Sequence, residues 1–466
     1  MILADKYTNI SDGLFLLWEA VSCQIRFFTA RTTTTYIENI ILAGGSRMPE
    51  LDSFVYEGTL QQITPLIHFQ AESEKPCLRS TTVKPRLDAY VLHFLKKKGI
   101  NEDQVPKQWK EVLGPNEQRR TVSLRYKLFF WVNNPVTEND HIHRLYFGNM
   151  DGNDTKRACL YGEDNPIHFR MVSLASDTIT VDNQSYTLLQ LLKLLFSPFM
   201  DLHCFGTRAT KGFGSFIVNN GEKNRWQALN PDFLPPECLA AFRVTKSFNC
   251  DILDAVYVLL ACMKGGFNTN AARQPTHPPH AYVKGYIQKR ERDQGWGTEK
   301  RFIKQKVFQS QQRSFYNGLV SADHLLPRDL PANGYRFSRA MLGLTDTYRF
   351  GVGRNSISFT VKNENGIERF PNPIRFKPIG SNELLILVYK IPDMMYNQDF
   401  KIDGRSISTP AAFDPVDFTK ESLKWITTHP NNSPDFDIND NYRPFRIPLL
   451  KIIQSLWISE PIEAPI

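Results

Sequence analysis

Between Tyr186 and Phe196, leucine occupies positions 188, 189, 191, 192, 194 and 195, so a helix formed here carries apolar side chains on every face. Such a helix belongs in a core. It is far shorter than the ~20 apolar residues a bilayer span needs. The chain then passes through Gly206-Thr-Arg-Ala-Thr-Lys-Gly-Phe-Gly-Ser-Phe-Ile-Val218, a glycine-rich basic turn that runs directly into β-forming residues. The fold must therefore bury a helix and follow it at once with a tight turn and a strand.

Upstream, Phe54-Val-Tyr-Glu-Gly-Thr-Leu-Gln-Gln-Ile63 reads as a strand ending at Pro65. Leu78-Arg-Ser-Thr-Thr-Val-Lys-Pro-Arg-Leu87 opens a helix capped at Thr81 or Thr82, with Pro85 in the first turn, where its missing N–H costs nothing. Val83, Leu87, Val91, Phe94 and Leu95 form one buried stripe through Lys98, and a polar linker runs from Asn101 to Arg120. Thr121 to Trp131 alternates with period two and is rich in β formers, so it is a strand, and Phe169 to Val181 holds further strand material. Strand, helix, strands, helix, strand over residues 54–218 is the order of a split β-α-β ferredoxin-like unit.

Pro231, Pro235 and Pro236 break this pattern, and a second unit begins near Leu239. The expected organisation is an N-terminal extension over 1–53, a glycine-loop domain over 54–230, and a second, diverged domain over 231–466 with a basic insertion around 268–312. In the second domain an apolar helix spans Asp251 to Met263. Strands at Ile357–Val361, Ile374–Lys377 and Leu384–Lys390, then an amphipathic tail from Leu449 to Ile458, complete it. The first fifty residues differ in character, and Met48 stands just before the first strand. Residues 1–47 are thus either an upstream extension foreign to the native protein or an added N-terminal arm.

Lys and Arg number 56 against 48 Asp and Glu, a net charge of +8 that suits a polyanionic partner without requiring one. With 41% apolar and 12% aromatic residues the chain is neither disordered nor membrane-like. Seven scattered cysteines with no C-x-x-C pair argue for a reducing, cytoplasmic setting and against a zinc or redox motif.

Glycines at 206, 212 and 214 let the backbone approach a ligand and turn N–H groups toward an anion, while Arg208 and Lys211 neutralise charge; a purely structural turn is the alternative. The spacing fits neither nucleotide-binding glycine motif. Arg79, Lys84 and Arg86 surround a helix N-terminus, which also favours anions, although a solvated basic face gives the same pattern. His277-Pro-Pro-His280 cannot form a helical metal pair, and a mobile loop is the preferred reading. Residues 284–306 carry eight Lys or Arg against three Asp or Glu and read equally as a basic arm or a solvated helix; Trp296, Phe302, Phe308 and Phe315 could stack on bases or pack on a neighbour.

Leu78 to Leu87 closely resembles the first-helix signature of the RAMP superfamily of CRISPR-associated proteins, with Pro85 where that family usually has glycine. Gly206 to Phe216 is similar to that superfamily's C-terminal glycine-rich loop, and the two motifs stand in the expected order about 120 residues apart. Arg336 to Leu344 and Arg369 to Pro378 resemble segments of type III effector subunits, and Gly265-Gly-Phe267 is either a degenerate second glycine loop or a coincidence.

The resemblance implies an α+β fold of tandem ferredoxin-like, RRM-related domains with antiparallel sheets. It implies an RNA-binding, non-catalytic subunit of an antiviral type III effector, with CRISPR guide or target RNA and other effector subunits as partners and no metal or cofactor. Its RNA surface would comprise Arg79, Lys84, Arg86, Gly206, Arg208, Lys211, Gly212 and Gly214. The alternative within the same superfamily is a metal-independent endoribonuclease that processes guide transcripts, for which Tyr90, His93, His141, His143 and His203 are the available bases.

Overall fold

The computed structural model describes residues 54–67, 77–113, 121–134, 158–219, 231–268, 282–283, 285–309, 330–344, 346–352, 355–367, 369–428, 449–459 and 461–463. From Val55 onward they belong to one compact unit. The extension over 1–53, His141, His143, the His277/His280 pair and Phe315 lie outside the described residues.

The first repeat runs β1 (Val55–Gln62), α1 (Ser80–Lys97), β2 (Lys127–Trp131), β3 (Ile167–Val172), α2 (Leu188–Leu202) and β4 (Phe216–Val218). Its sheet order is β4-β1-β3-β2 with every neighbour antiparallel, which is ferredoxin-like topology. The register places Phe130, Phe169 and Gly58 in one row, and a Cβ at Gly58 would meet the Phe169 ring at 2.8 Å.

The second repeat starts with β5 (Cys238–Lys246) and α3 (Ile252–Leu260). Helices α4 (Tyr286–Asp293) and α5 (Glu299–Phe302) and the hairpin β6 (Thr347–Val352) and β7 (Asn355–Asn363) are then inserted. It resumes with β8 (Ile374–Pro378) and β9 (Glu383–Tyr389), a second inserted hairpin β10 (Asp399–Ile402) and β11 (Arg405–Ser408), then α6 (Pro415–Thr428) and β12 (Leu456–Ile458). Its main sheet, ordered β12-β5-β9-β8 and antiparallel throughout, repeats the first topology. The two inserted hairpins join as a separate sheet, β6-β7-β10-β11.

Leu384 to Tyr389 are buried without interruption, where a strand covered on one face would alternate. Leu384, Ile386 and Val388 belong to the core of the second repeat. Leu385, Leu387 and Tyr389 join the core that contains α1 and α2 of the first. The first repeat's helices thus lie against the second repeat's sheet, which explains why α2 is apolar almost all round. Of its leucines only Leu194, at 41% exposure, escapes this burial, beside the exposed Gln190 and Lys193.

Several boundaries differ from the sequence expectation. α2 begins at Leu188 because Thr187 and Gln190 form a reciprocal capping box. α1 begins at Ser80, the N–H groups of Thr82 and Val83 both bonding to the Arg79 carbonyl, so Pro85 falls in the second turn. Thr121 to Trp131 is two strands: residues 121–124 pair with 110–113, and the chain bends at Arg125-Tyr126 before β2. Residues 357–361 belong to the accessory sheet instead of the ferredoxin-like one. The tail from Leu449 is a short helix followed by β12. Gly265-Gly266-Phe267 follows α3, whereas the first repeat's glycine loop follows its second helix, so the two are not topological equivalents.

The basic stretch 284–306 is no free arm, since Ile287, Phe302 and Ile303 are buried in the second core, followed by Val307 and Phe308. Phe302 and Phe308, at 6% and 4% exposure, are therefore not presented for base stacking; Trp296 lies 5.9 Å from the Arg336 guanidinium.

Candidate nucleic-acid interface

The glycine-rich loop leaves α2 at His203 and enters β4 at Phe216. Its base is closed on itself: Phe205 N–H donates to the Gly214 carbonyl at 2.9 Å, and Cys204 and Ser215 form an antiparallel bridge. Gly214 N–H reaches the Pro65 carbonyl at 2.8 Å, and Thr64 Oγ1 donates to the Gly212 carbonyl at 2.6 Å while accepting from Ser215 N–H. All three glycines have positive φ, +79°, +84° and +66°, and at Gly214 a Cβ would fall 2.0 Å from the Phe205 carbonyl oxygen. Lys211 N–H and Gly212 N–H close local turns onto Arg208 and Ala209. The N–H groups of residues 205, 211, 212, 214 and 215 are thus engaged within the protein, and the glycines serve close backbone packing.

What the loop presents outward is its tip. Gly206 and Lys211 are exposed and Thr207 to Thr210 half-buried, with Arg208 held at φ +58°. Desolvation lowers the pKa of both Arg208 and Lys211, and the Arg208 charge lowers that of Lys211 further. Lys211 makes no ion pair among the described residues. Two neighbouring cations repel each other, and a bound anion relieves that repulsion.

At α1, Arg79 is exposed at the N-cap position. Arg86 is exposed and donates from Nη1 to the Cys204 carbonyl at 3.0 Å, tying the helix to the start of the loop. Lys84 behaves differently. Its ammonium donates to Asp88 Oδ2 at 2.7 Å, Ser123 Oγ at 2.8 Å and the Leu124 carbonyl at 2.7 Å, and lies 4.4 Å from the Tyr126 ring centre. With three donors and three acceptors it is saturated.

Sequence reasoning missed the part the second repeat plays. Phe376 N–H donates to the Thr210 carbonyl at 3.1 Å, Lys211 and Phe376 form a parallel bridge, and Ser215 Oγ donates to the Pro378 carbonyl. Lys377, 1% exposed, donates to the carbonyls of His203 at 2.9 Å and Phe216 at 2.8 Å, one at each end of the loop. The available signal was the alternation in Ile374-Arg-Phe-Lys-Pro378, which puts Arg375 and Lys377 on one face of β8.

Of the residues weighed as bases, Tyr90 and His203 do meet, with rings edge-to-face at 5.8 Å. Both are committed to structure: Tyr90 OH donates to the Phe233 carbonyl at 2.7 Å, and His203 Nδ1 to the Phe199 carbonyl at 2.8 Å. Burial, with help from Arg86, Lys377 and Arg375, lowers the His203 pKa to about 3. The unfolded chain takes up this proton near 6.5 and the folded chain only near 3, so stability falls as pH drops through that window. Between pH ~6.5 and ~4.5 the ring's share is about 2–3 kcal/mol. A His203→Gln variant followed by urea denaturation will show a correspondingly shallower acid slope than wild type. His93 lies on α1 with its pKa lowered by burial and by Lys97 and Lys96. Among the described residues no group of three or more His, Cys, Asp or Glu side chains is placed to hold a metal ion, and no helix is long and apolar enough to cross a membrane.

The family model described as the Cmr1 N-terminal domain matches residues 54–267, and the one described as the Cmr1 C-terminal domain matches residues 282–441. No curated protein and no solved structure matches the chain. The first match contains the entire first repeat with its glycine loop, together with β5 and α3; the second starts within the insertion and continues through α6. Tandem ferredoxin-like repeats and two matches that together span most of the sequence lead to one assignment: the chain belongs to the Cmr1 family, the RAMP subunits of type III-B CRISPR effector complexes.

Proposed function

We propose that the chain is an RNA-binding structural subunit of this effector, holding guide or target RNA by its phosphates at the tip of the glycine-rich loop. The observation that carries this reading is the pairing of Arg208 and Lys211 on an outward-facing tip whose base is locked by backbone bonds. A rigid platform bearing adjacent cations binds a polyanion without ordering a flexible arm first. Arg79 and Arg86, exposed at the start of α1, extend the cationic surface, while Gly206, Gly212 and Gly214 shape it. Lys84 contributes by holding α1 in place.

Contacts of this kind read backbone and shape instead of base identity, as suits a subunit that must accept any guide sequence. The endoribonuclease alternative gains no support from Tyr90 and His203, whose OH and Nδ1 bond to backbone carbonyls and whose ring, at His203, is held neutral by burial.

The test is fluorescence anisotropy of the full chain with a labelled single-stranded repeat-spacer RNA across a salt series, beside an Arg208→Gln/Lys211→Gln variant. Each lost phosphate contact removes about 0.7 from the log–log salt slope, so the double variant should lose about 1.4 and bind at least tenfold more weakly at low salt. Equal affinities and slopes would overturn the reading, and metal-independent cutting within the repeat would replace it with the processing enzyme.

A further inference from the structure

We infer that Arg375, on β8 of the second repeat, combines with Arg86 of the first to form a two-guanidinium phosphate site at the seam between the repeats, occupied by a backbone phosphate of the bound RNA. The inference rests on the RNA-binding reading and extends it to a residue from the other half of the chain.

Alternation along β8 turns Arg375, Lys377 and Ile379 toward the first repeat, while Ile374 and Phe376 face the second core. Lys377 and Arg86 then fix the geometry from opposite sides, because their acceptors are consecutive carbonyls, His203 for Lys377 and Cys204 for Arg86. Cys204 Sγ lies 3.6 Å from the Phe376 carbonyl, next to Arg375 in the chain. Arg375 is itself oriented, its guanidinium 3.7 Å from the centre of the Tyr389 ring.

Arg375 also shares a side-chain hydrogen bond with Tyr389, and each five-donor guanidinium still has donors left over. Arg86 makes a single hydrogen bond, and Arg375 Nε is buried without a partner. Neither arginine forms an ion pair among the described residues, although each lies within the other's field. Carboxylate partners neutralise most such protein pairs; here neither fork has an ion-pair partner among the described residues, an arrangement matched to the oxygens of a phosphodiester. The Lys377 ammonium, on the neighbouring His203 carbonyl, adds a third positive charge to the seam, while His203 itself stays neutral in the neutral range.

The experiment uses the full chain with the same labelled single-stranded RNA and compares wild type with Arg375→Gln and Arg375→Lys, each checked for an unchanged thermal midpoint. The expected result is about tenfold weaker binding and a salt slope lower by about 0.7 for Arg375→Gln, with most affinity and all of the slope retained by Arg375→Lys. A role confined to packing on Tyr389 would move both variants alike, and that result overturns the inference. So does wild-type affinity and slope in Arg375→Gln. Absence of RNA binding by the wild type removes the functional reading itself, and is distinguishable because the variants are then never reached. An Arg86→Glu variant gives a second readout. Supplying Arg375 with a carboxylate should hold or raise the thermal midpoint while RNA affinity falls; unchanged affinity counts against the site.

Discussion

Gly214→Ala should cost this protein more stability than any other single methyl added to the loop, on the order of 4 kcal/mol or more, seen as loss of soluble protein or a collapse of the urea midpoint. The new Cβ would lie 2.0 Å from the Phe205 carbonyl oxygen, and both partners are backbone fixed by the Phe205–Gly214 bond. Nothing in that ladder can yield without releasing β4. Gly99 provides the control. Its φ is +77°, but no atom lies within 4 Å of the added Cβ. There the N–H groups of Gly99 and Ile100 bond to the carbonyls of Lys96 and Leu95 in a Schellman ending of α1. Gly99→Ala therefore meets only the left-handed backbone penalty, about 1 kcal/mol. Equal losses at the two positions would mean that the loop is not locked as described.

Lys84→Met should lower stability by about 3 kcal/mol, because it strands the Asp88 carboxylate in the core. Asp88 is 3% exposed and accepts from Lys84, Ser123 and the Leu124 N–H, so it joins α1 to the 121–124 strand. The double change Lys84→Met/Asp88→Leu removes both charges and should recover most of the loss, as judged by urea midpoints. A Lys84→Met protein as stable as wild type would return Lys84 to the list of free phosphate ligands. Loss of RNA binding in a Lys84 variant is consequently evidence about the interface only when folding has been checked.

The ferredoxin-like order was readable because each element of the first repeat carries its own signal: strand chemistry in β1, a helical stripe in α1, and glycines before β4. The family resemblance was readable from two motifs alone. What escaped was everything that depends on the second repeat's position. Leu384 to Tyr389 looks like any buried strand, and periodicity does not say that its two faces serve different cores. For the same reason the strand signal at Ile357–Val361 does not say which sheet of the second domain it joins, since pairing partners far apart in sequence leave no local trace. Lys84 is a matching case at the site. The sequence motif contains a lysine at a helix start, but only the fold brings Ser123 and Leu124 to it and turns an apparent RNA ligand into a structural cation. The glycines, too, read as an anion cradle until the hydrogen bonds of residues 205, 212, 214 and 215 are followed to their acceptors.

The most direct test of the central claim is photo-crosslinking of a thiouridine-substituted repeat-spacer RNA to the full chain, with the attached peptides identified by mass spectrometry. The account predicts crosslinks in the peptides that carry Gly206 to Ser215 and the start of α1, lost when Arg208 and Lys211 are replaced. Crosslinks confined to the accessory sheet of β6, β7, β10 and β11, with none at the loop, would contradict it.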